Sequence, residues 1–131
     1  MTTIDLTCRY SSDHGFSIEG TSHELNRFAA AFRELGDVTE HELSGKGELD
    51  GYDETITRVS ISRHDDCLVT VLHAPSSLLL SGGDRLIGIL AANIDRLVTD
   101  SGSNYLHIDY HPNHYYLTEG SEPIVITRVD E

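Results

Sequence analysis

The sequence contains no tryptophan, only two cysteines, three prolines and one lysine among its 131 residues. Cys8 and Cys67 are too few for a disulfide framework; one bridge is arithmetically possible, but we expect both thiols to be reduced. No apolar run approaches the roughly 18 residues of a membrane-spanning helix. Residues 1–5 also lack the basic and apolar regions of a signal peptide. These absences predict a cytoplasmic protein that does not enter a membrane.

Positive charge is also scarce. The 22 aspartates and glutamates outnumber the 9 lysines and arginines, which gives a net charge of −13 with the histidines neutral. A field of this sign repels phosphate backbones and anionic lipids, so nucleic acids and membrane surfaces are poor partners. A basic partner would instead be attracted. The alternative is that the acidity only keeps the protein soluble.

Two segments carry apolar residues at helical spacing, which predicts amphipathic helices over residues 22–35 and 84–99. Ser22 and Asp84 are the expected N-caps, and Gly36 follows the first helix where left-handed backbone is favoured. The expected core positions are Leu25, Phe28, Ala29, Phe32 and Leu35 in the first helix and Ile87, Leu90, Ala91, Ile94 and Leu97 in the second. A shift of 62 residues superimposes the two sets. This match is compatible with an internal strand-helix-strand duplication, but capping and amphipathicity alone also produce it.

Short alternating or apolar runs predict six or seven strands. They cover residues 14–19, 38–43, 55–63, 67–73, 78–80, 104–110 and 123–129. The run at 67–73 is apolar on both faces, so we expect it inside a sheet. Residues 44–54, rich in glycine and acidic residues, are expected to form a mobile loop. The chain is therefore predicted to be a single α+β domain over residues 1–131. Its sheet should be mainly antiparallel, with both helices packed on one face.

One polar cluster lies near the end of the chain. His107, Asp109 and His111 are spaced to share one face of the predicted strand, and His114 follows. These side chains are possible ligands for zinc or another divalent ion, so a metal-binding protein or metal-dependent hydrolase is one alternative. The other interpretation is a solvated strand face, where alternating polar residues are expected anyway. We favour this second interpretation, which requires no metal and no cofactor.

The same region is rich in tyrosine and acidic residues, a composition found at protein interfaces. The predicted partner-binding residues are Asp109, His111, His114, Tyr115, Tyr116, Glu119 and Glu122 here, and Glu48, Asp50 and Asp53 in the loop. No phosphate-binding loop, calcium loop or nucleophile elbow is present. These observations favour a binding protein over an enzyme, with a homo-oligomer left open.

Two stretches of the second half carry a family resemblance. One is Leu78-Leu79-Leu80-Ser81-Gly82-Gly83-Asp84-Arg85-Leu86 with Leu90-Ala91-Ala92, and the other is His107-Ile108-Asp109-Tyr110-His111-Pro112-Asn113-His114-Tyr115-Tyr116-Leu117 with Gly120-Ser121-Glu122-Pro123-Ile124-Val125-Ile126. Over roughly residues 66–128 the chain thus resembles the small acidic α+β immunity proteins of bacterial polymorphic toxin systems. The resemblance implies a non-enzymatic protein that neutralises a cognate toxin, and it carries over no catalytic residue.

Overall fold

A computed structural model describes residues 3–64, 68–99, 104–114 and 116–129. Within these ranges the chain forms two helices and ten strands, arranged in two mixed sheets of five strands each. The predicted α+β class is confirmed. The prediction of one mainly antiparallel sheet with six or seven strands is wrong. Cys67 and Tyr115 lie outside the described residues.

The helices are α1 (Ser22–Ala31) and α2 (Asp84–Thr99). The strands are β1 (Thr3–Ile4), β2 (Thr7–Ser11), β3 (Gly15–Gly20), β4 (Val38–Leu43), β5 (Glu54–Thr55), β6 (Arg58–His64), β7 (Thr70–Ala74), β8 (Ser77–Gly83), β9 (Tyr105–Ile108) and β10 (Ile124–Arg128). Among these, β1, β2 and β5 were not predicted as separate strands, and the two residues of β1 and of β5 are too few for an alternating pattern.

The strand order is β1-β4-β6-β8-β7 in the first sheet and β5-β2-β3-β10-β9 in the second. Both sheets have a parallel pair at their centre, β6 with β8 and β3 with β10. The flanking pairs β4/β6, β7/β8, β2/β3 and β9/β10 are antiparallel. The antiparallel prediction fails because alternation along one strand does not specify which distant strand will be its neighbour.

The two halves of the chain follow the same path. The first unit is β2-β3-α1-β4-β6 and the second is β7-β8-α2-β9-β10. The β2-β3 hairpin lies beside β10 and β9 of the second unit, and the β7-β8 hairpin lies beside β6 and β4 of the first. Arg33, two residues after the end of α1, forms an ion pair with Asp95 on α2, 62 residues later in the chain. An internal duplication with exchanged hairpins would produce this topology.

Helix α1 begins at Ser22, the predicted first residue, but it ends sooner than the periodicity predicts. Its N-cap is Thr21 and not Ser22, because the Thr21 hydroxyl accepts from the Glu24 amide (3.2 Å) while the Glu24 carboxylate accepts from the Thr21 amide (3.0 Å). This reciprocal pair is a capping box. The helix ends at Ala31, and Leu35, predicted to face the core, is 95% exposed.

Helix α2 has the predicted bounds, and its buried face includes all five predicted core residues. The helices contact each other, and each contacts strands of both sheets, so they do not simply cover one face of one sheet. Buried apolar side chains from both sheets and both helices form one core cluster. No helix in the described ranges is long and apolar enough to cross a membrane.

The sequence predicts strand β7 in the interior of a sheet. This prediction is wrong, because β7 lies at the edge of the first sheet. Although β7 has apolar residues on both faces, it is not buried on both, because Leu72 is 47% exposed. The segment 116–122 covers the outer edge of β7. Val69 donates to the Tyr116 carbonyl (2.7 Å), and Glu122 donates to the Val71 carbonyl (2.9 Å). This coverage protects an edge that would otherwise be open to pairing with another chain.

Candidate functional site

The outer face of the second sheet lies beneath the loop formed by residues 44–53. Across this sheet, Arg9, Ser17, Val125 and His107 stand side by side on β2, β3, β10 and β9. Residues 44–53 lie against the β2 end of this row. The backbone approaches closely at Gly47, where an added Cβ would lie 2.7 Å from a methyl carbon of Thr7. This position, with its φ of +94°, therefore favours glycine.

Arg9 joins the loop to the sheet. Its side chain is only 8% exposed, and its Nη2 lies 3.0 Å from the Glu19 carboxylate on β3. Its Nη1 donates to the Glu48 carbonyl (3.1 Å) and lies 3.9 Å from the Asp50 carboxylate. The guanidinium carbon also lies 4.9 Å from the centre of the Tyr52 ring, within cation–π range. The loop predicted from composition thus has defined contacts with the sheet.

A cleft of about 500 Å³ opens between the loop, the turn after β2, and strands β9 and β10. Its lining residues are Asp13, His14, Asp50, Gly51, Tyr52, His107, Asp109, Pro123 and Val125. We call it the acidic cleft, because three carboxylates from three separate segments line it and none of these residues is lysine or arginine. Carboxylates brought together in this way favour a cationic group from outside.

The acidic cleft brings together two residues that the sequence assigned to a partner-binding surface. Asp50 is 83% exposed and Asp109 is 55% exposed, although they are 59 positions apart in the chain. Asp53 lies next to the cleft, where its carboxylate accepts from the Ser12 amide (3.0 Å) and supports the turn that carries Asp13. Glu48 has an exposed side chain on the same loop.

The segment after β9 contains a histidine that organises the backbone. Nδ1 of His114 accepts from the amides of Tyr116 and Leu117, both at 3.1 Å. Burial, followed by the nearby His111, holds the pKa of His114 below its ordinary value of 6.5. The neutral ring is therefore the form that accepts these hydrogen bonds.

Tyr116 is placed in the core, with 5% of its surface exposed. Its hydroxyl accepts from the Asn93 side chain on α2 (3.2 Å), and burial raises the pKa of the phenol. The prediction of Tyr116 as an exposed interface residue is thus corrected, because the ring packs against the helix. Tyr115, its predicted companion, lies outside the described residues.

The remaining predicted residues do not line the acidic cleft. Glu119 is exposed on the segment that covers β7. Glu122 is partly buried and accepts a hydrogen bond from the hydroxyl of Tyr10, whose pKa is raised first by burial and then by this carboxylate. His111 is exposed, and its Nδ1 lies 3.1 Å from the Pro112 carbonyl. These three residues stay predicted contacts on sequence grounds.

One polar cluster was not predicted from the sequence. Tyr10 on β2 stacks on His73 on β7, with ring centres 3.8 Å apart and planes inclined by 3°. His73 Nε2 lies 2.6 Å from the Glu54 carboxylate, which also accepts from the Ser76 amide (2.9 Å). The hydrogen bond to His73 holds the pKa of Glu54 below its usual range. The cluster joins the edges of the two sheets, and no local motif marks it because its members come from three distant strands.

The predicted metal ligands do not converge. Strand β9 ends at Ile108, so the alternation that would place His111 beside His107 and Asp109 is lost. His107 Nε2 lies 4.0 Å from the Asp109 carboxylate, while His111 pairs with His114 at 4.8 Å between ring centres. Across the described part of the chain, no three histidine, cysteine or acidic side chains are grouped as a metal site requires. The metal-binding alternative therefore has no geometric support here.

Comparison with known proteins gives one line of evidence on kinship. No curated protein and no solved structure matches the chain. A protein-family model matches residues 77–129, which run from the start of β8 through α2 and β9 to just beyond β10. This segment supplies His107, Asp109 and Val125 to the acidic cleft. The family is Immunity protein 32, so the resemblance to immunity proteins of toxin systems is confirmed over this segment.

Proposed function

We propose that this chain is a non-enzymatic immunity protein that binds a cognate protein toxin and blocks it by occupation. The observation that carries this proposal is the match of residues 77–129 to Immunity protein 32. An immunity protein of this kind needs a complementary surface and no chemistry of its own. The matched segment contributes β9, β10 and Asp109 to the acidic cleft.

We further propose that the toxin is basic and that the acidic cleft is part of its docking surface. The net charge of −13 would steer a basic protein toward the chain. Asp13, Asp50 and Asp109 would then accept hydrogen bonds from its lysines or arginines. Because Asp50 and Asp109 are exposed, their contribution should fall mainly on the association rate. The same field argues against nucleic acid and anionic membrane as partners.

We place this encounter in the cytoplasm, as the sequence predicts. Cys8 is fully buried in the core, and burial raises the pKa of its thiol, which makes it an inert apolar side chain and not a reactive group. Binding in this proposal therefore depends on charge and shape and makes no use of the Cys8 thiol.

The test takes the protein encoded immediately upstream of the gene for this chain as the toxin, with association and dissociation rates measured at low and high salt. We expect a stoichiometric complex whose association slows as salt rises. The double variant Asp50→Asn/Asp109→Asn should weaken affinity by about 2- to 30-fold, which corresponds to about 0.2–1 kcal/mol for each exposed ion pair. The double variant Glu40→Gln/Glu42→Gln, which neutralises two exposed acids on β4 away from the cleft, is the matched control.

The outcomes separate the two parts of the proposal. If no complex forms with the wild-type chain, the immunity function is wrong. If a complex forms but is indifferent to salt and to both cleft substitutions, the toxin docks elsewhere and the acidity serves solubility.

A further inference from the structure

We propose that Arg9 is a positioning residue for the docking surface: it holds the loop over the second sheet, and in doing so it builds one wall of the acidic cleft. This inference rests on the proposed function for its consequence in toxin binding. Its structural half, the hold on the loop, concerns the free protein and can be tested without any partner.

The first argument is where Arg9 lies. It stands on the outer face of a sheet, where an arginine ordinarily extends into water, yet its side chain is 92% buried beneath the loop. The Glu19 carboxylate fixes one side of the guanidinium to β3 at 3.0 Å. The other side reaches the loop through the Glu48 carbonyl at 3.1 Å. A planar fork with five N–H donors can bridge two elements in this way.

The second argument is the pattern of loop contacts. Arg9 meets every second residue of the loop, at the Glu48 carbonyl, the Asp50 carboxylate and the Tyr52 ring. Asp50 and Tyr52 also line the acidic cleft. One side chain beneath the loop thus sets the position of two side chains that face the proposed partner.

Arg9 does this without closing the site to a cation. Its strong ion pair is with Glu19, while Asp50 lies 3.9 Å away and keeps 83% of its side chain exposed. No lysine or arginine is among the lining residues near Asp13 or Asp109, and the basic side chain closest to Asp109 in the cleft is His107, whose Nε2 lies 4.0 Å from its carboxylate. The cleft therefore keeps its negative character although a guanidinium lies directly beneath one wall.

Charge and positioning predict opposite results when Arg9 is neutralised. Arg9→Gln makes the chain more acidic by one charge, so electrostatic steering alone would speed association with a basic toxin. Loss of positioning would instead displace Asp50 and Tyr52 and slow association. Arg58→Gln is the matched control, because it removes the same charge from an exposed arginine on β6 in the other sheet.

The first measurement is hydrogen–deuterium exchange of the free protein. In Arg9→Gln we expect peptides covering residues 47–53 to exchange at least about tenfold faster, while peptides from α1 and α2 stay unchanged. The Tyr52 amide, which donates to the Leu49 carbonyl at 2.9 Å, is the most direct reporter. Arg9→Lys keeps the charge but loses the fork, so we expect an intermediate effect. If Arg9→Gln does not fold, Arg9→Lys provides the deciding measurement.

The second measurement is the association rate with the toxin encoded beside this gene. We expect Arg9→Gln to associate at least about threefold more slowly than the wild type, and Arg58→Gln to associate as fast or slightly faster. Unchanged loop exchange in both Arg9 variants would overturn the proposal. So would an Arg9→Gln chain that binds as fast as Arg58→Gln. Failure of the wild type to bind contradicts the proposed function and the consequence for binding, while the exchange result still decides whether Arg9 holds the loop.

Discussion

Arg63 on β6 offers a demanding test of how the fold is held together. Its side chain is buried and reaches the end of α1. Nη2 donates to the carbonyls of Ala31 (3.4 Å) and Phe32 (3.0 Å). Nη1 donates to the Gly36 carbonyl (3.3 Å) and the Thr39 hydroxyl (2.9 Å). A cation at this position satisfies free carbonyls and complements the helix dipole.

The magnitude follows from these contacts. Arg63→Met keeps the apolar stem but leaves several carbonyls without their donor. Removing one member of a buried charge-assisted network costs about 3–5 kcal/mol, and two of the four contacts here are long, so we expect about 3 kcal/mol. An unfolding entropy of about 2.1 cal/mol/K per residue converts this to a Tm lower by about 10 °C.

The assay is urea unfolding followed by circular dichroism, with two matched variants. Arg58→Met on the same strand is exposed and should change stability by less than about 0.5 kcal/mol. Arg128→Met is the counterpart in the other half, because Arg128 donates to the Leu97 (3.0 Å) and Val98 (2.7 Å) carbonyls at the end of α2. We expect Arg128→Met to lower the free energy of unfolding by about as much as Arg63→Met does. A loss below about 1 kcal/mol for Arg63→Met would refute the reasoning.

Four further predictions concern single positions. Because the pKa of His114 is lowered on folding, the unfolded chain binds the extra proton, and stability should fall as pH drops below 6.5. His114→Asn keeps an acceptor without titrating, so its urea midpoint should fall less between neutral and mildly acidic pH; an equal fall would contradict this. Gly15→Ala should lose about 2 kcal/mol or more in urea unfolding, since Gly15 has φ of +76° and its Cβ would lie 2.3 Å from the Pro123 carbonyl oxygen; a loss within about 0.5 kcal/mol would be inconsistent with that geometry. Tyr116→Ala should cost about 3 kcal/mol in the same assay, whereas the sequence-based prediction for Tyr115→Ala is a faster toxin off-rate. A marginal loss of stability in Tyr116→Ala, or an unchanged toxin off-rate in Tyr115→Ala, would count against these assignments.

The helices were predictable because their signals are local. The apolar spacing of α2 and the alternation of β4 gave the bounds that the structure has. The end of α1 was not predictable, because Leu35 continues the helical spacing while the chain already turns toward Thr39 and Arg63. The carbonyls at this end accept hydrogen bonds from Arg63, some thirty residues away.

The candidate site shows the same division. Acidic and aromatic composition singled out the loop and the tail, and it included Asp50 and Asp109. Composition could not show that these two residues line the same cleft, because that depends on β10 lying beside both β3 and β9. Nor could it show that Tyr116 turns inward to Asn93, since a tyrosine has the same composition signal whether buried or exposed.

The central claim is that a toxin docks on the acidic cleft, and hydrogen–deuterium exchange of this chain with and without the toxin encoded beside its gene tests it most directly. We expect slower exchange on complex formation in residues 44–53 and in peptides covering 104–110, the two walls of the cleft. Exchange in β4 and β6, on the other sheet, should be unchanged. Protection confined to β4 and β6, or no protection anywhere at saturating toxin, would contradict the account.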